Sequence, residues 1–182
     1  TSYCGSIFNG EKPIGIGTLV VGRGQHQTNP LARVYDGHFN ERGEPIYGET
    51  RWENGDVYSG EHDAFGRPHG VGKIIYGGCE HFNLLPVTTT AATTTPLSAC
   101  PRYCTGPSMY KGTFNHGDLH GKGILHFMDG RVYKGEFYRS MLAGKGTMTY
   151  QDGRTVSGLF HLNKPMHPKS HVVYDAFLTS DR

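Results

Sequence analysis

Long apolar runs are missing from this chain, and so is sustained helical periodicity. The longest hydrophobic stretches fall well short of the roughly 20 residues that a membrane-spanning helix needs. Apart from a faint signal near the C-terminus, no window repeats at the helical period. No secretory leader is read, which points to a cytoplasmic compartment with reduced thiols. The chain begins at Thr1 and not at methionine, as a processed or partial product would. Cysteine is scarce, with four among 182 residues. Cys100 and Cys104 stand four apart while Cys4 and Cys79 are distant, so the paired spacing of a structural zinc site is absent. A site built from Cys100, Cys104 and His81 or His116 has no support. An excess of one charge is lacking too: a formal net charge of +2 excludes the basic surplus of a nucleic-acid-binding domain.

Catalytic signatures are also absent. Gly121-Lys122-Gly123 and Gly144-Lys145-Gly146 invite a phosphate-loop reading, but Arg139 stands where the Walker spacing requires its first glycine. No G-x-S-x-G, H-E-x-x-H or Cys/His nucleophile arrangement occurs. His116, His120, His126 and His161 fall at varied positions and read as surface residues. Glu61 and Glu136 each follow a tyrosine by three residues; recurrence in register marks a structural role and not an acid/base pair. The expectation is a non-enzymatic protein without catalytic residues, metal or cofactor.

What the chain has in excess is glycine and aromatic rings. Its 27 glycines are about twice the usual share of roughly 7%, and 11 tyrosines and 9 phenylalanines supply ring surface that can replace an aliphatic core. Both are placed periodically. Tyr35, Tyr58, Tyr110 and Tyr133 each precede a glycine by two residues, at Gly37, Gly60, Gly112 and Gly135, and both Tyr35 to Tyr58 and Tyr110 to Tyr133 span 23 residues. Another such step reaches Val156, followed by Gly158. A short fixed period means stacked units.

The clearest unit is YKGTFNHGDLHGKGILHFMDG, from Tyr110 to Gly130, with Phe114, Gly121, Gly123 and Phe127. The next runs from Tyr133 to Gly153 and keeps Phe137, Gly144, Gly146, Tyr150 and Asp152-Gly153, losing one consensus glycine to Ser140. The unit from Tyr35 keeps Phe39, Gly48, Trp52 and Gly55, and the unit from Tyr58 keeps Gly70, Gly72 and Tyr76 with one residue inserted. A first unit opens at Tyr3-Cys4-Gly5, and partial units start at Phe82 and Val156. Asp129-Gly130 and Asp152-Gly153 lie between β-favouring segments, which predicts two-residue type I′ hairpins pairing strands near 123–128 and 131–137. Tyr133, Gly135 and Phe137 then share one face, and the glycine leaves room for rings from a neighbouring hairpin. One hairpin is marginal alone. The expected fold is therefore all-β: an elongated, twisted single antiparallel sheet of tandem hairpins.

This pattern resembles the MORN-repeat family (membrane occupation and recognition nexus repeats), over most of residues 3–163. The resemblance implies a non-enzymatic scaffold that binds protein partners in a large assembly. Such arrays are common in cytoskeletal structures, including ciliary radial spokes, so a microtubule-associated, axonemal role in the cytoplasm or cilium is the specific expectation. It also implies self-association through terminal repeats, to which open strand edges are suited. Two alternatives follow from other members: a membrane-tethering module that binds anionic phospholipid, and the targeting part of a larger enzyme. For the lipid reading, Lys111, Lys122, Lys134 and Lys145 recur at two repeat positions and form a candidate ladder for an anionic partner.

The division expected is repeats over 3–82, a Thr/Ala/Pro insertion over 83–107, repeats over 108–163 and a tail over 164–182. The insertion is too poor in large apolar residues to order itself, and residues 25–34, with Asn29-Pro30, read as a surface loop. Tyr174 and Phe177 in the tail are expected to pack against the unit at 156–163, because an end repeat needs a cap.

Overall fold

The computed structural model describes residues 2–8, 12–22, 33–77, 106–166 and 171–174. Among them there is no helix, and the strands form one antiparallel sheet that does not close. The strands are β1 (Ser2–Phe8), β2 (Lys12–Val21), β3 (Arg33–Phe39), β4 (Pro45–Trp52), β5 (Val57–His62), β6 (Pro68–Ile75), β7 (Pro107–Asn115), β8 (Asp118–Phe127), β9 (Val132–Tyr138), β10 (Met141–Thr149), β11 (Arg154–His161), β12 (Lys164–Pro165) and β13 (His171–Tyr174). From β1 to β12 each strand pairs with the next in sequence, and β13 pairs with β11. The chain leaves the sheet after β6 and returns at β7 directly beside it, with Gly72 opposite Gly112.

Glycine sets the register. Gly5, Gly17, Gly37, Gly48, Gly60, Gly72, Gly112, Gly123, Gly135, Gly146 and Gly158 face one another in a continuous row over eleven strands. The row is a bed for tyrosine rings. A Cβ at Gly135 would lie 2.6 Å from both the Tyr133 ring and the Gly146 Cα, and one at Gly146 would overlap the same ring. Tyr133 thus covers the glycine of its own strand and that of its hairpin partner. This corrects the expectation that the covering rings come from a neighbouring hairpin; the neighbour contributes edge contacts instead. The Tyr133 hydroxyl donates to the carbonyls of Glu136 (3.2 Å) and Ala143 (3.3 Å), and Tyr35, Tyr58 and Tyr110 repeat this bond to the residue three ahead. Burial raises the phenols of Tyr35, Tyr110 and Tyr133 to about 12.

Unit-to-unit contact runs through a chain of edge-to-face rings. Tyr3, Phe39, Tyr35, His62, Tyr58, Phe114, Tyr110, Phe137, Tyr133 and Phe160 follow one another at centroid separations of 4.9–5.4 Å and interplanar angles of 76–89°. Such pairs add about 0.5–1.5 kcal/mol each beyond burial. Tyr58, Tyr110 and Tyr133 are fully buried, which a single layer achieves only because the rings lie flat on side-chain-free backbone.

The turns differ from expectation. Asp129-Gly130 and Asp152-Gly153 close three-residue loops, in which Gly130 N–H donates to the Phe127 carbonyl (3.1 Å) and Phe127 N–H to that of Arg131 (2.9 Å). Only the glycine takes positive φ, 83° at both, and Asp129 instead accepts the Arg131 amide at 3.1 Å. The strands accordingly end at Phe127 and restart at Val132. Left-handed pairs occur at the opposite strand ends, at His116-Gly117, Arg139-Ser140 and Leu162-Asn163, and these carry the type I′ geometry. Arg33 and Val34, assigned to a loop from sequence, pair with both Val21/Val20 and Trp52/Arg51; β-branched Val34 favours the strand, and Arg33 is held by bonds to the Phe65 and Gly66 carbonyls.

At the far end, the backbone of β13 pairs Val156 with Val172 and Arg154 with Tyr174. The tail thus adds strand to the last full hairpin. The Tyr174 side chain and Phe177 lie outside the described residues, as do the unit at Phe82 and nearly all of the 83–107 insertion.

Candidate functional site

Strand alternation gives the sheet two unlike faces. The ring face carries the edge-to-face chain and, along one flank, a second aromatic row. Trp52, Tyr76, Phe127 and Tyr150 stand just before or beside the three-residue turns, half-buried against the core. The turn residues hold arginines over this flank: Arg131 bonds Asp129 at 2.7 Å and lies 4.6 Å from the Phe127 centroid. Arg154 repeats the arrangement with Asp152 (2.5 Å) and Tyr150 (5.2 Å). Each pair fixes a cation over an aromatic ring while satisfying its charge.

Two depressions open on this face. One, of about 370 Å³, is lined by Phe127, Tyr76 and Met148 and by Leu119, Leu142 and Ser140. The other, of about 260 Å³, has Trp52, Arg33 and Asp56 on one side and Pro68, Arg67 and Gly117 on the other. Each is lined from both strand ends, so the ring face is concave. The opposite wall is clipped together by backbone bonds from one turn to an earlier strand: Gly117 N–H to Pro68 O (2.8 Å), Ser140 N–H to Leu119 O (2.9 Å) and Asn163 N–H to Leu142 O (3.3 Å).

Two departures from the repeat lie near Trp52. His62 takes the place held by Phe39, Phe114, Phe137 and Phe160 in other units, and it is buried with Thr50, at 7% and 0% exposure. The Gly60 carbonyl can only accept, so His62 Nδ1 donates to it (3.1 Å) and Nε2 accepts from Thr50 Oγ1 (2.8 Å). Burial lowers the imidazole to about 4. Neither residue was singled out from sequence, although His62 follows Tyr58 by the same four residues that separate Phe114 from Tyr110. At the nearby wall, Asp63 Oδ2 receives Arg67 (2.8 Å) and His116 (2.9 Å). Burial pushes Asp63 upward, but these hydrogen bonds outweigh it and hold the carboxyl below its usual range. Arg33 reaches across to the carbonyls of Phe65 (3.0 Å) and Gly66 (3.2 Å), and burial lowers its pKa.

The face opposite the rings carries the lysines. Lys111, Lys122, Lys134 and Lys145 are all exposed there, but they form two rows. Lys111 and Lys134 flank Ile124 in one, and Lys122 lies opposite Glu136 in the other. Sequence reasoning missed Lys73, which stands directly across from Lys111. Glu136 caps a bulge, with Oε2 accepting the Lys145 amide at 3.1 Å beside Gly144, whose φ is 61°; Glu61 does the same for Val71 at 3.2 Å. The repeated glutamates and the first glycine of each G-x-G are thus parts of one structural device. His120 is not a simple surface residue: it is half-buried beside Tyr138, and its Nδ1 is buried without a hydrogen-bond partner. Among the described residues no group of three or more His, Cys, Asp or Glu is placed to hold a metal.

The MORN repeat family model matches residues 110–130 and 133–153, which supports the MORN family. No curated protein matches the chain. MORN repeats generally act as non-enzymatic modules for binding proteins or membrane lipids.

Proposed function

We propose that this protein is a non-enzymatic scaffold that seats an apolar segment of a protein partner in its concave ring face. The observation that carries this reading is the half-buried row of Trp52, Tyr76, Phe127 and Tyr150, set beside two depressions along one groove. Partly exposed aromatics on a rigid support bury large area at little entropic cost. The setting we propose is a cytoskeletal assembly, with a ciliary axoneme as the specific location; the resemblance stated above supports it. Self-association through terminal repeats or edge strands fits the same role.

Trp52 is the single tryptophan and lines the smaller depression, so partner docking is expected to shift its fluorescence. Native affinity purification with wild type and with Phe127→Ala/Tyr150→Ala tests the reading. Loss of the same co-purifying protein from the variant supports it; retention removes the ring face as the docking site.

The exposed lysines of β6 to β10 favour a second reading, in which this face meets anionic phospholipid. Sedimentation with phosphatidylserine vesicles, lost when Lys111, Lys122, Lys134 and Lys145 are changed to alanine, supports it. No sedimentation by wild type removes it.

A further inference from the structure

Opposite the rings, the pairing register places Asp36, Glu49, Ser59, Lys73 and Lys111 side by side on β3 to β7. The row reads minus, minus, neutral, plus, plus. Asp36, Ser59, Lys73 and Lys111 are exposed; Glu49 is partly exposed and pairs with Arg51. The adjacent row on the same face holds Val34, Arg51, Val57, Ile75 and Met109, and Ile75 is 46% exposed. Val34, Val57 and Met109 are partly exposed and Arg51 is exposed, and no second layer among the described residues covers the row.

We propose that this face pairs with the same face of a second copy, about a two-fold axis that lies between the two sheets, parallel to β5 and level with Ser59. Rotation about an axis parallel to the strands keeps each row facing itself and reverses the strand order. Glu49 then meets Lys73 of the second copy and Asp36 meets Lys111, each twice by symmetry. Small, uncharged Ser59 sits on the axis against itself. In the adjacent row Val57 meets Val57, Val34 meets Met109, and the aliphatic stem of Arg51, whose guanidinium is held by Glu49 of its own chain, meets Ile75. Sheets stack about 10 Å apart, within reach of a lysine and a carboxylate extended toward each other. Glu61, also near the axis, is turned back onto its own backbone, where it accepts the Val71 amide. Sliding one copy by two strands sets lysine against lysine, so the charge order also fixes the register. An anionic membrane matches Lys73 and Lys111 but sets Asp36 and Glu49 against headgroups of their own sign, which favours a second copy as the occupant.

Sedimentation equilibrium of the full chain, with and without added salt, tests this. Wild type is expected to be a reversible dimer that weakens as salt rises. Asp36→Lys/Glu49→Lys makes the row wholly basic and Lys73→Glu/Lys111→Glu makes it wholly acidic; each alone is expected to dimerise roughly tenfold or more weakly. An equal mixture of the two satisfies every pair and is expected to recover wild-type strength as a heterodimer. Circular dichroism melting checks that both variants fold. If either does not, the wild-type salt series still decides: a salt-independent dimer overturns the proposal. So does a wild type that stays monomeric, whether or not it sediments with phosphatidylserine vesicles, or a mixture that fails to associate.

Discussion

The hydroxyl of Thr50 and the imidazole of His62 share a 2.8 Å hydrogen bond inside a stack of rings that is otherwise phenolic or apolar. Where β4 has Thr50, the strands β2, β6, β8 and β10 carry Leu19, Ile74, Leu125 and Met148 against the tyrosines, and where β5 has His62, the strands β3, β7, β9 and β11 carry Phe39, Phe114, Phe137 and Phe160. The two polar residues are therefore a matched pair, each satisfying the other. Removing one strands the other: Thr50→Val or His62→Phe alone is expected to cost roughly 1–3 kcal/mol, whereas Thr50→Val/His62→Phe is expected to be neutral or stabilising. Chemical denaturation of all four species checks this, and additive effects would mean that the bond contributes nothing.

The same histidine gives the fold a pH dependence of known sign. Folding lowers its pKa from 6.5 to about 4, so below pH 6.5 the unfolded chain binds a proton that the folded chain refuses. Stability from this source is complete above pH 6.5 and is lost as pH falls toward 4, by roughly 3 kcal/mol in total. His62→Phe is expected to remove that slope. Melting temperatures of wild type and variant across pH 4–7 make the comparison, and parallel curves would contradict it.

Gly146→Ala sets a methyl group against the Tyr133 ring. The ring cannot retreat without uncovering Gly135, and a cost of about 3 kcal/mol or more is expected. Gly106, which has open space around it, is the control; Gly106→Ala is expected to change stability by less than about 0.5 kcal/mol. Equal effects from the two would discount the ring bed.

Arg139 and Ser140 both take left-handed backbone, with φ of 48° and 62°. Arg139→Gly relieves strain worth about 1 kcal/mol and is expected to stabilise the hairpin. Ser140→Gly gains the same relief but loses the hydroxyl that donates to Asp118 (2.9 Å) and accepts the Leu119 amide (3.2 Å), so its net effect is expected to be near zero. Thermal melts of the two variants separate the cases.

These positions also show what the sequence could carry. The Tyr-x-Gly period specified both the ring bed and the sheet order, because a residue and its partner two or ten places on lie in fixed register. Asp-Gly misled because it serves two turn types, and the choice depends on where the flanking strands stop pairing. His62 escaped notice because its unit was recognised by glycines; the offset from Tyr58 held the signal. Lys73 and Lys111 are neighbours only through β6–β7 pairing, and 38 positions of chain separate them, a distance no periodicity bridges. The groove likewise depends on curvature, which residue spacing does not encode.

Because Gly112, Gly123, Gly135 and Gly146 make the same step again and again, the molecule behaves as a ruler. Excising 133–155 would join Val132 to Val156 and bring Phe160 over Tyr110, where Phe137 now rests, with no new contact type required. Two strands add about 10 Å of reach, so the distance such a protein bridges is set by how many links it carries, independently of what is written on either face.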